Sequence, residues 1–189
     1  MPPTEIRPGR WRWSAPHPEW KPSSDWPLQV GCVLYETPGH AVLIDPLVPA
    51  DDGALSSWLE RRCGSREVTV LETIRFHSRS GERLRERYGA SAAAPGVESF
   101  SFPAAGETVY WIPEHRALVP GDLLVVDGGT LALCPQGWLD DMGHAPRREE
   151  LAVQMRVLLA LEPELVVVSH GEPVLGGGTA ALAGALEAA

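Results

Sequence analysis

The sequence predicts an α+β fold in which β-strands are interspersed with helices. Short apolar runs of strand length recur, and the clearest, residues 164–169, contains three successive valines. Between such runs, Leu55, Trp58 and Leu59 keep the three- and four-residue spacing of one helix face. With 189 residues, 44 % of them hydrophobic, the chain has the size of one domain and enough apolar side chain for a sizeable core.

In chain order, residues 1–27 read as an irregular arm. It holds Trp11, Trp13, Trp20 and Trp26, four of the seven tryptophans, interleaved with Pro16, Pro18, Pro22 and Pro27. Tryptophan buries a large apolar area, so the arm is expected to pack on a single domain of residues 28–189, covering a sheet edge or helix groove. Its alternative roles are a lid or a dimer contact. Strands are expected at 29–36 and 41–45 around a Thr-Pro-Gly-His turn, then a helix at 54–63 and a strand at 67–73. The next helix runs to Tyr88, with Ser80 as N-cap, Glu82 in its first turn and Gly89 as C-cap. Strands follow at 98–102, 107–112, 116–119 and 123–126, then a helix at 147–161, the strand at 164–169, and an alanine-rich helix after Gly176 to Gly178.

Charge and cysteine usage exclude some classes. A net charge of -9 excludes general nucleic-acid binding, which needs a basic face. Arg61, Arg62, Arg66, Arg83, Arg85 and Arg87 do cluster, but Glu60, Glu67, Glu82 and Glu86 interleave with them as a solvated mixed-charge face. Cys32, Cys63 and Cys134 form no paired motif, so neither a disulfide framework nor a thiolate metal knuckle is indicated. They read as small packing residues. No secretory-type apolar segment opens the sequence and no run reaches membrane-spanning length, so a cytoplasmic protein without a membrane partner is expected.

The chemistry concentrates in Thr73 to Ser80, reading TIRFHSRS. If residues 74–79 continue the preceding strand, alternation sends Arg75, His77 and Arg79 to one face and Ile74 and Phe76 to the other. Around this stretch lie LIDPL (Leu43 to Leu47) before it, and ALVPGDLL (Ala117 to Leu124) and ELVVVSHGEP (Glu164 to Pro173) after it. In this order and spacing the four segments resemble the metallo-β-lactamase superfamily, which contains glyoxalase II-like thioesterases, lactonases and other hydrolases. The resemblance covers roughly residues 28–178 and implies a four-layer α-β-β-α sandwich of two mixed β-sheets with helices outside.

The superfamily's ligand loop, His-x-His-x-Asp-His, falls on Arg75, His77, Arg79 and Ser80, so three of its four positions are lost. The next ligand histidine, in a Gly-His-x-x-Gly turn, would lie near Pro103 to Gly106, where there is none. The resemblance places the bridging aspartate at Asp122 and the last histidine at His170. Two permanently cationic arginines oppose a bound dication, so the first reading is a hydrolase-like protein with no metal cofactor. In it, Arg75 or Arg79 neutralises Asp122 and the vestigial cleft holds a small anionic molecule. The alternative is a hydrolase of esters, thioesters or lactones using one zinc, iron or manganese ion on His77, Asp122 and His170. A third reading makes His77 or His170 a metal-free general base beside carbonyl-polarising arginines.

Blander roles stand beside these. His77 can bond a backbone carbonyl at a strand end, Asp122 can stabilise its turn, and His170 can satisfy loop backbone. Ser80 is a helix cap and no nucleophile. His17, His40 and His115 suit exposed turns, Asp140 and Asp141 suit the surface, and His144 is a candidate for the cleft rim.

Overall fold

The computed structural model describes residues 2–141 and 146–189. They fall into two compact units, one of residues up to Glu72 with Phe76–Pro95, the other of Thr73–Arg75 with Gly96–Ala189. Among the described residues no helix is long and apolar enough to cross a membrane.

The first unit is a five-stranded mixed sheet in sequential order: β1 (Thr4–Arg7), β2 (Arg10–Pro16), β3 (Gln29–Glu36), β4 (His40–Ile44) and β5 (Glu67–Leu71). The first four pair antiparallel and β4 pairs with β5 in parallel. A parallel pair needs a crossover, and helix α1 (Gly53–Cys63) supplies it. Its Leu55, Leu59 and Cys63 recur every fourth residue and are buried, while the Asp52 carboxylate caps it by accepting the Leu55 amide at 2.8 Å. Helix α2 (Gly81–Tyr88) ends at Gly89, whose φ of 58° is the left-handed cap expected of glycine.

The irregular arm predicted for residues 1–27 is corrected here. Residues 4–7 and 10–16 are strands of this sheet, with Trp13 opposite Cys32 and Trp11 opposite Leu34. Trp13 is 1 % exposed, packs in the cluster of Leu34, Leu43, Leu55 and Leu59, and donates its indole N–H to the Leu47 carbonyl at 2.9 Å. The neighbouring Trp11 donates to Glu36 at 2.7 Å and carries the Arg62 guanidinium 4.1 Å over its ring. Strand pairing over a long stretch, rather than proline content, decides the conformation.

The second unit has a four-stranded sheet in the order β11-β8-β7-β6, formed by β6 (Glu98–Phe102), β7 (Glu107–Ile112), β8 (Ala117–Val119) and β11 (Leu165–Val166). β6, β7 and β8 are antiparallel neighbours, and β11 joins β8 in parallel. The strands β9 (Leu124–Asp127) and β10 (Thr130–Leu133) form a separate hairpin. Gly128 and Gly129 turn it with φ of 54° and 82°, the pair of positive values a tight hairpin requires. Helices α3 (Gln136–Asp141), α4 (Arg148–Met155) and α5 (Gly178–Glu187) complete the unit, and Leu151, Met155, Leu182 and Leu186 pack with Leu118, Leu124 and Val166. The helix expected over 147–161 is α-helical only to Met155 and continues as a 3-10 helix to Leu161. The strand expected over 164–169 is regular only at Leu165–Val166, although the Val167 amide still donates to the Leu118 carbonyl at 2.8 Å.

Candidate functional site

The ligand-loop region is not a strand. β5 stops at Leu71, and Arg75–His77 forms a single 3-10 turn. The alternation proposed for residues 74–79 therefore fails: Ile74 is 3 % exposed and Phe76 49 %, while Arg75 is exposed and His77 buried. His77 directs Nδ1 to the Oδ2 of Asp45 at 2.8 Å. Asp45 follows β4 directly, and its φ of 50° is rare for a residue with a side chain. Its backbone is held at both ends, the amide donating to Leu71 at 3.0 Å and the carbonyl accepting Arg79 Nη1 at 3.0 Å.

Arg79 also has a positive φ, 38°, and the same Nη1 donates to the Gly31 carbonyl at 3.0 Å. Its guanidinium thus braces the ends of β3 and β4 at the residue that orients His77. Ser80 precedes α2, but its side chain does not cap that helix. Its hydroxyl accepts the Val48 amide at 3.0 Å and donates to the Val48 carbonyl at 3.4 Å, so the expected cap is instead a clamp on the preceding loop.

In the second unit Asp122 lies in the turn between β8 and β9, and His170 lies just beyond the apolar run 165–168. Their side chains meet with His170 Nε2 3.1 Å from Asp122 Oδ1, and the two residues are 6 % and 9 % exposed. The His170 carbonyl accepts the Val126 amide at 2.9 Å, which ties the histidine to β9. Trp138, on α3, sets its ring edge-on to the His170 imidazole with centroids 5.1 Å apart. His144 lies outside the described residues.

Neither carboxylate of these pairs was singled out by sequence alone for what it does to its imidazole. Asp45 stood in the LIDPL segment without an assigned role. Glu107, which accepts the backbone amides of the Asp122 turn, was missed altogether. Its signal was present: Glu107 is in phase with Val109 and Trp111 on the buried face of β7.

The cysteines offer no competing chemistry. Burial pushes the Cys32 thiol up to about 11 and the Cys134 thiol up to about 12, the latter also raised by the Glu107 and Asp122 carboxylates. Both are protonated thiols at neutral pH, as is Cys63, pushed up to about 12 by burial and the Glu36 charge.

Arg79 and Ser80, at two of the expected ligand positions, hold backbone groups of the first unit. Among the described residues, the candidate donors are the His77 imidazole in the first unit, and the Asp122 carboxylate and His170 imidazole in the second. Two imidazoles and a carboxylate are a donor set suited to a single zinc or iron ion.

No family model matches the chain, and no curated protein matches it in sequence. Solved structures do. DIM-1 metallo-β-lactamase, in a crystal exposed to ceftazidime, superposes with a TM-score of 0.63 at 12 % identity, covering 99 % of this chain and 96 % of its own. TMB-1 gives 0.60 at 15 % identity with 97 % of each chain covered, and VMB-1 gives 0.61 at 16 % identity with 100 % and 98 % covered. The likeness extends over residues 1–27, in keeping with the strands found there.

Proposed function

We propose that the chain, whose fold is that of the metallo-β-lactamases, is a hydrolase reduced from two metal positions to one. His77, Asp122 and His170 would hold a single divalent ion, and the substrates would be esters, thioesters or lactones. The observation that carries this reading is the buried hydrogen bond from His77 to Asp45, 2.8 Å long, with side chains 5 % and 3 % exposed. A carboxylate on one imidazole nitrogen fixes the tautomer and the ring plane, and makes the other nitrogen a better electron-pair donor. A bare vestige has no need of that arrangement, and holding Asp45 at a positive φ costs on the order of 1–3 kcal/mol.

A bound ion would polarise the scissile carbonyl and make water acidic enough to ionise near neutral pH. The protein's own part is positional. Asp45 aims the Nε2 of His77, Asp122 supplies the negative charge that a dication requires, and the Val126 amide holds the His170 backbone in place. Trp138 covers one edge of the His170 ring and limits its rotation.

A second reading, in which one of Arg75 and Arg79 neutralises Asp122 and the other holds a small carboxylate or phosphate without metal, is favoured by the arginines at two expected ligand positions. One experiment separates the two. Protein expressed with zinc, iron and manganese and then dialysed should retain close to one equivalent of metal, lost in Asp122→Ala, and should hydrolyse members of an ester, thioester and lactone panel. Absence of both retained metal and turnover would remove the first reading. Tryptophan fluorescence that then responds to carboxylate or phosphate would establish the second.

A further inference from the structure

Glu107 opens β7 and is 2 % exposed. Its carboxylate accepts three consecutive backbone amides: Gly121 at 2.8 Å on Oε1, and Asp122 at 2.7 Å and Leu123 at 3.0 Å on Oε2. Convergent N–H groups of this kind make a binding place for an anion, and here a side chain of the same unit fills it. Charge-assisted bonds to a buried carboxylate are short and strong, and losing one leaves a buried amide without its acceptor. The turn is also packed tightly from the other side. A Cβ on Gly121 would stand 2.3 Å from Thr73 Oγ1 and 3.0 Å from Glu107 Oε2, so only glycine lets both side chains approach.

These contacts lock the backbone at the residue whose carboxylate lies 3.1 Å from His170. We propose that Glu107 is the positioning residue of the site, fixing the turn of residues 121–123 so that Asp122 is aimed at its ligand-holding position. This rests on the reading of Asp122 as a metal ligand, yet the aiming itself is measurable in metal-free protein.

Glu107→Gln keeps the size of the side chain but turns one acceptor oxygen into a donor group facing N–H donors. In metal-free protein carrying nitrogen-15 histidine, the His170 imidazole signals of Glu107→Gln should shift in the direction produced by Asp122→Asn. The amide signals of residues 121–123 should move with them. Cobalt(II) titration should show affinity lower by about tenfold to a hundredfold, the usual loss on removing an outer-shell partner. Gly121→Ala, which displaces the same turn from the Thr73 side, should reproduce the imidazole shift and serves where Glu107→Gln folds poorly. Shifted amides at 121–123 with His170 signals identical to the parent protein would overturn the role of Glu107. A parent protein that takes up no cobalt would overturn the metal reading instead, and the imidazole signals would still decide whether Glu107 aims Asp122.

Discussion

His77 Nδ1 stands 2.8 Å from Asp45 Oδ2, with both side chains almost wholly out of water. The relationship joins a 3-10 turn to the end of β4 across 32 residues of sequence. It makes the imidazole a fixed group rather than a rotating one. Asp45→Asn keeps the shape and removes the charge that selects the tautomer. Metal affinity measured against a chelator should fall about tenfold to a hundredfold, with secondary structure unchanged. Undiminished affinity would show that Asp45 does not serve the histidine.

Gly171 follows His170 with a φ of 97°, and a Cβ there would lie 2.1 Å from the Val126 carbonyl oxygen. Backbone cannot retreat as a flexible side chain can. Gly171→Ala should therefore destabilise the protein by about 1–3 kcal/mol, lowering the thermal midpoint by several degrees. Gly39→Ala, where nothing lies within 4 Å, is the control and should be close to neutral.

Trp13 ties the second strand to the core through its ring and its bond to Leu47. Trp13→Ala should cost about 3–5 kcal/mol in denaturant unfolding, as for other fully buried aromatic side chains. Limited proteolysis should spare residues 10–16 and cut, if anywhere nearby, between 17 and 28, where the chain is irregular. Rapid cleavage within β2 would contradict its place in the sheet.

Stability should fall as pH rises above about 9. Cys32, Cys63 and Cys134 are raised from 9.0 to about 11, about 12 and about 12. Unfolded chains lose these protons first, so their contribution is fully present below 9.0 and is lost as pH climbs through the folded values. Each group contributes a slope of up to about 1.4 kcal/mol per pH unit in that window. Urea unfolding at pH 8 and pH 10.5 measures it, and equal stability at the two would refute the assignment. A thiol reagent at pH 8 should react slowly with the folded protein and rapidly in denaturant.

Motif order and residue identity were enough to name the candidate site residues. His77, Asp122 and His170 follow as candidates from motif order, and Arg75, Arg79 and Ser80 at the other expected ligand positions are a matter of residue identity. Gly89 was legible as a helix end because a left-handed cap is a local property. The two N-terminal strands were not, because prolines and arginines mask the alternation of Trp11 and Trp13, and β2 becomes a strand only by pairing with β3.

Composition, local helix caps and the candidate donor atoms are thus properties of the sequence itself, since each depends on residue identity or on neighbours within a turn or two. Which carboxylate serves which group was decided by the tertiary structure. Asp45 meets His77 across 32 residues, His170 meets Asp122 across 48, and Glu107 meets the amides of residues 121–123 across 14 to 16. A hydrogen bond requires donor and acceptor within about 3 Å and in line, and only the folded path of the chain brings residues so far apart into that geometry.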